Sequence, residues 1–141
     1  MNSGKRFERN FKRYAERTGA FVLRIPDRVN IRNGRVYSEQ SEADFIVVAD
    51  GGTYLVECKA TSAKSLAFER VQEHQERYLS TFDNAADGAH GVLAVEFYEP
   101  DSYRNRRTFL LPISAWMDYK ANTQRKSMPM CEFEKHGKEL L

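Results

Sequence analysis

Only two cysteines, Cys58 and Cys131, occur in the 141-residue chain. They cannot form the disulfide framework that holds small secreted domains together. Neither belongs to a CxxC pair, and the three histidines, His74, His90 and His136, are scattered, so no zinc-binding spacing is present. No apolar run approaches the roughly 18–20 residues of a membrane span. The first residues, "MNSGKRFERNFKRY", lack the apolar stretch of a secretory signal. The expectation is a cytoplasmic protein with reduced thiols and no membrane partner. Repeats and low-complexity segments are absent. A net charge of +2 is too small to argue for a polyanionic partner.

What is present is hydrophobic content of 41%, enough for one globular core in a single domain of this length. Charge is also segregated. Residues 1–37 hold 10 Lys/Arg against 3 Asp/Glu, residues 38–101 hold 4 against 13, and residues 102–141 hold 8 against 4. An acidic middle between basic ends suits metal ions at the centre and phosphates around them. Solvated charge on helix surfaces gives the same pattern.

The periodicity predicts a helix over 3–17, with Ser3 as N-cap, Phe7, Phe11, Tyr14 and Ala15 as its apolar stripe, and Gly19 as its stop. "AFVLRI" (20–25) reads as a strand. The Arg-rich stretch 26–42 reads as a loop or a small exposed hairpin turning at Asn33-Gly34. "ADFIVVA" (43–49) and "TYLVECK" (53–59) form a hairpin about the turn at 50–52. A second helix is expected over 65–82, with Phe68, Val71, Gln75, Tyr78 and Phe82 on one face. Two strands, 91–98 and 107–112, joined by a polar loop, and a short helix over 113–120 follow. The order α-β-β-β-α-β-β-α suggests an α/β fold, a mixed central sheet flanked by helices. The expected organisation is one domain over 1–120, then a polar tail over 121–141 whose order the pattern leaves open.

Within this pattern "YLVECKA" (54–60) is unusual, because an otherwise apolar strand places Glu57 and Lys59 on one face. Asp44, at the start of the preceding strand, can approach them across the hairpin if the two faces coincide. Two carboxylates in one concave place repel unless a positive charge separates them. Oxygen ligands suit Mg²⁺ or Mn²⁺. A metal ion, carboxylates and a lysine together are an apparatus for attack on a phosphodiester. Glu8 lies at the edge of the first helix's stripe, where it can reach the sheet. Gln75 lies inside the second helix's stripe, where a buried amide needs partners.

The order Glu8, Asp44, Glu57-Cys58-Lys59 resembles the PD-(D/E)XK nuclease superfamily. "GKRFERNF", "SEADFIVV", "YLVECKAT" and "VQEHQERYL" are together similar to the RecU-type Holliday-junction resolvases, from about Gly4 to Leu111. The resemblance implies a restriction-endonuclease-like core. It implies Asp44 and Glu57 as metal-binding acids with the Cys58 backbone carbonyl as a further ligand, and Glu8 as the first-helix acid. Lys59 would orient the attacking water, and Gln75 would support the lysine or its water. It further implies an Mg²⁺-dependent (or Mn²⁺-dependent) endonuclease acting as a homodimer on four-way DNA junctions. Arg24, Arg28, Arg32 and Arg35 are candidate phosphate contacts. Two features depart from the family pattern: no proline precedes Asp44, and 26–42 is short for the protruding stalk of RecU proteins. The alternatives are another DNA nuclease on this core, of restriction or replication-repair type, and a non-catalytic DNA-binding module.

Overall fold

The computed structural model describes residues 2–39 and 41–140. The first helix, α1 (Ser3–Arg17), begins one residue earlier than the serine rule suggests. Asn2 is the N-cap, and its side-chain oxygen accepts the Lys5 backbone N–H at 2.8 Å. The helix ends as expected, with Gly19 in the left-handed region at φ 91°. Phe7, Phe11 and Ala15 are buried, and Lys5, Arg9, Arg13 and Arg17 are exposed.

A six-stranded sheet forms the centre, in the order β1 (Phe21–Arg24), β4 (Phe45–Ala49), β5 (Gly52–Thr61), β7 (Ala89–Glu99), β8 (Ser102–Pro112) and β10 (Lys138–Leu140). Neighbours are antiparallel except β5 and β7, which are parallel, so the sheet is mixed as expected. One face carries α1 over Phe45, Val47, Val56, Cys58 and Ala94. The other buries Leu55, Leu93, Val95, Phe109 and Leu111, together with residues of α2 (Glu73–Asp83), α3 (Ile113–Asn122) and α4 (Met130–His136). The stretch 26–42 is a hairpin of β2 (Arg28–Arg32) and β3 (Arg35–Glu39), standing apart as its own two-stranded sheet. Its turn residues Asn33 and Gly34 both have positive φ (52° and 76°), as a tight hairpin turn requires.

The second helix is corrected at its start. Instead of running from residue 65, the chain makes β6 (Ser65–Ala67) and a 3₁₀ turn, and α2 begins only at Glu73. The physical reason is a distant partner: β6 pairs with β9 (Ser127–Pro129), which buries Leu66 against Met128. A capping box then starts the helix, since the Gln72 and Gln75 side chains each accept the other's backbone N–H. The buried face is Gln75, Glu76 and Leu79, while Tyr78 is exposed. At Gly91 the helix meets the sheet so closely that a Cβ would lie 2.1 Å from the Leu79 carbonyl oxygen. Residues 102–106, expected as a loop, continue β8. Beyond Ala121 the chain forms β9, α4 and β10, and Met128 and Phe133 are fully buried in the main core. No helix among the described residues is long and apolar enough to cross a membrane.

Candidate active site

Register answers the question of faces. Phe45 pairs with Val56 and Ile46 with Leu55, so the next step outward sets Asp44 opposite Glu57 on the same face. Asp44 also ties the strands together there. Its backbone N–H donates to the Val56 carbonyl at 2.9 Å, and its Oδ2 accepts the Cys58 N–H at 2.8 Å. Glu57 is nearly inaccessible to solvent, and its Oε2 receives two donors: Lys59 Nζ at 3.1 Å and Gln75 Nε2 at 3.0 Å. Gln75 is fully buried with both ends of its amide engaged, because its Oε1 accepts the Gln72 N–H at 3.1 Å. Gln75 therefore contacts Glu57 rather than the lysine. Among the described residues, the buried Glu57 Oε1 has no hydrogen-bond partner.

Electrostatics single out the same group. Burial, followed by the Asp44 charge, pushes the Glu57 carboxyl up to about 8, with Lys59 opposing. Glu8 reaches in from α1. Burial and then Asp44 raise its carboxyl to about 7, while Arg24, 3.8 Å away, opposes the shift. Asp44 thus raises the carboxyls of both other acids, and three acids against Lys59 and Arg24 leave the cluster short of positive charge.

A divalent metal ion fits this deficit. The orphaned Glu57 oxygen and the mutual repulsion with Asp44 both call for a cation. Among the described residues, no three His, Cys, Asp or Glu side chains converge tightly enough to ligate one ion unaided. A divalent ion here would draw one or two carboxylates from the protein and complete its coordination with water and substrate phosphate. The Cys58 thiol does not suit the role, since it lies in the core on the α1 face and burial raises its pKa well above the ordinary thiol value.

The remaining candidates divide. Arg24 sits beside Glu8 at the cluster. Arg28 is held in an ion pair with Glu42. Arg32 and Arg35 face each other at the exposed hairpin tip, away from the carboxylates. Gln72 was not among the candidates, yet its backbone N–H fixes Gln75; the Gln-x-x-Gln spacing ahead of the helix was the signal that could have found it.

Glu57 also makes stability depend on pH. Its carboxyl titrates near 4.5 when exposed and near 8 when folded. Between these values the folded protein binds more protons than the unfolded chain, so stability falls as pH rises through this window. The metal-free protein should lose thermal stability from about pH 5 to pH 8, and Glu57→Gln should flatten that decline. Mg²⁺ should raise the wild-type Tm more at pH 8.5 than at pH 6, because the ion needs the deprotonated acid. Melting curves at the two pH values check both statements; an equal slope in Glu57→Gln contradicts the assignment.

Comparison with known proteins places the chain in a family and a fold. The sequence matches the family described as RecU, Recombination protein U, over residues 8–141. Among solved structures, the fold is similar to Hjc of Archaeoglobus fulgidus, described as a Holliday junction resolvase from an archaeal hyperthermophile. The TM-score is 0.62 at 16% identity, covering 96% of this chain and 95% of that one. A weaker likeness, TM-score 0.39 at 13% identity, covers 87% of this chain and 61% of the protein described as SSO0001. A search of curated proteins finds no match. The likeness to Hjc shows the fold, and the family match over nearly the whole chain shows the lineage: this chain belongs to the RecU family.

Proposed function

We propose that the protein is a metal-dependent endonuclease that resolves four-way DNA junctions. The observation that carries this reading is the buried Glu57, set opposite Asp44 and bonded to both Lys59 and Gln75, in a chain of the RecU family. Asp44, Glu57 and the Cys58 backbone carbonyl would hold Mg²⁺ or Mn²⁺, with Glu8 beside them. The ion would supply Lewis-acid charge and an activated water. The protein's own part is positioning. Gln75 clamps Glu57 in one rotamer, and Glu57 holds the Lys59 ammonium at 3.1 Å. That ammonium steadies the incoming water and the charge growing on the phosphoryl oxygens. In the displacement one P–O bond forms from the water oxygen, one P–O bond breaks, and the leaving oxygen takes a proton.

A homodimer belongs to the same proposal. A junction is two-fold symmetric, and two sites related by a two-fold axis can cut opposed strands. One face of the β2–β3 hairpin supports it: Val29, Ile31 and Val36 are exposed together, while Arg32 and Arg35 occupy the other face. A second copy would cover the apolar face and leave the arginines for phosphates. Replacing Arg32 and Arg35 by alanine should weaken binding to all DNA shapes. The slope of log K against log salt should drop by about 0.9 for each phosphate no longer neutralised. Binding titrations across salt measure it, and unchanged slopes would mark the hairpin tip as solvated surface.

The decisive assay for the proposal is cleavage of a labelled four-way junction with and without Mg²⁺, beside a wild-type light-scattering mass. Metal-dependent cutting by a dimer is expected; a monomer that cuts duplex equally well contradicts it.

A further inference from the structure

The sheet face under α1 is only partly covered. The helix packs on β5 and on the Phe45 and Val47 side chains of β4, while among the described residues α3 and α4, which contact β8 and β10, pack into the core of the opposite face. A groove of about 780 Å³ runs between α1 and β8, with Phe7, Phe11, Thr108 and Leu140 among its lining residues. Arg13 and Arg17 line one wall and Arg104 and Arg106 the other. Parallel register makes Glu57 and Leu93 share a face, and Glu96, which lines the groove, lies three residues further along β7 and so points to the opposite face. The groove is thus separated from the Glu57–Lys59 pair by the thickness of the sheet.

We infer that this groove binds a second stretch of DNA backbone, holding an arm of the junction other than the one at the Asp44–Glu57–Lys59 cluster. The inference rests on the DNA-binding reading above. Charge is the first argument. Among the described residues, Arg13, Arg17 and Arg104 make no ion pair, and the one other acid in the lining, Glu16, is already held by Lys12 at 3.2 Å. The contrast with Arg107 is direct. On the opposite face of the same strand, Arg107 is held at 2.7 Å by both Glu134 and Glu139. Arg13, Arg17 and Arg104 are therefore available to a ligand.

Spacing is the second argument. Arg13 and Arg17 are one helical turn apart, about 6 Å. Arg104 and Arg106 are two strand residues apart, about 7 Å. Neighbouring phosphates of one strand lie at a comparable spacing through space, so Arg13 and Arg17 can meet two successive phosphates, with Arg104 facing them from the other wall. Arginine forks suit phosphate oxygens geometrically.

The groove's mouth is also built. Glu96 is buried beneath it, accepts the Tyr103 hydroxyl at 2.8 Å, and lies 4.0 Å from Arg106 Nε. Asn10 donates to the same hydroxyl at 3.0 Å, and Arg6 stacks on the Tyr103 ring at 3.5 Å. Arg106 lies 4.6 Å from the centre of that ring and donates to the Tyr103 carbonyl at 3.1 Å. This network joins α1 to β8 across the mouth. The mouth lies near the β7–β8 turn, six residues along β7 beyond Leu93, the residue level with Glu57.

The test measures binding apart from cleavage. In an Asp44→Asn background without metal, the variants Arg13→Ala/Arg17→Ala and Arg104→Ala are titrated with a four-way junction and with a 12-base-pair duplex across salt. Arg104→Ala is used alone because Arg106 is part of the Glu96 network. The expected result is a junction slope lowered by about 1.8 for the double variant and about 0.9 for the single one, with duplex slopes unchanged. Arg13→Lys/Arg17→Lys should restore the junction slope. Unchanged junction slopes overturn the inference and leave the groove to a second copy or an acidic protein segment. Equal losses on junction and duplex also overturn it, since the groove would not then be reserved for a second arm. Cleavage by the wild type is read separately, so failure of the nuclease proposal is distinguishable from failure of this one.

Discussion

Asp44→Asn and Glu57→Gln should each lower cleavage by at least about a hundredfold, equivalent to about 2.7 kcal/mol of transition-state stabilisation, while DNA binding persists. Both side chains keep their size in these changes, so packing is conserved. What is removed is negative charge at the point where the proposal places a metal ion. The two variants should differ in stability. Glu57 is buried and its charged form is disfavoured, so a neutral glutamine relieves repulsion with Asp44 and should hold or raise the Tm of the metal-free protein. Asp44→Asn weakens the hydrogen bond from the Cys58 N–H, from a charged to a neutral acceptor, and should cost some stability. Single-turnover cleavage beside a melt separates these effects. Cleavage by either variant near the wild-type rate would remove that residue from the metal site.

Lys59→Ala should also lose about a hundredfold or more in rate, the usual effect of removing a charge-stabilising donor. It should still bind Mg²⁺ and DNA, because the lysine holds charge and water rather than the ion. The structure sharpens this expectation. Lys59 is largely buried against Glu57, so its removal leaves the carboxylate with Gln75 as its one remaining donor. The Glu57 carboxyl should then rise further, and metal-free Lys59→Ala should bind Mg²⁺ more weakly at pH 7 than the wild type yet recover at higher pH. A variant that fails to fold at any pH would instead make the pair a structural salt bridge, and circular dichroism distinguishes the two.

The juxtaposition of the candidate acids was legible because they sit in short-range structure. Asp44 and Glu57 belong to one hairpin whose turn is close in sequence, so their juxtaposition needs only the correct register. Glu8 and Gln75 were legible as polar residues at stripe positions of helices. What could not be read depends on distant partners. Leu66 is a strand residue only because Met128, sixty-two positions later, pairs with it, so the helical periodicity of 65–72 misled. The tail past Ala121 consists of two three-residue strands and a seven-residue helix, too short for any period to declare itself. The groove arginines lie on two elements nearly ninety residues apart, and the groove between them exists only in the folded sheet.

One measurement tests the central claim most directly. A labelled four-way junction, a linear duplex and a flap of the same sequence are incubated with the protein in Mg²⁺ and in chelator, and the cut positions are mapped. The account predicts paired cuts in two opposed strands of the junction, dependent on Mg²⁺ and absent in Asp44→Asn, with the duplex and flap largely intact. Cutting of the junction in chelator, or duplex cleavage at the same rate as the junction, would contradict it.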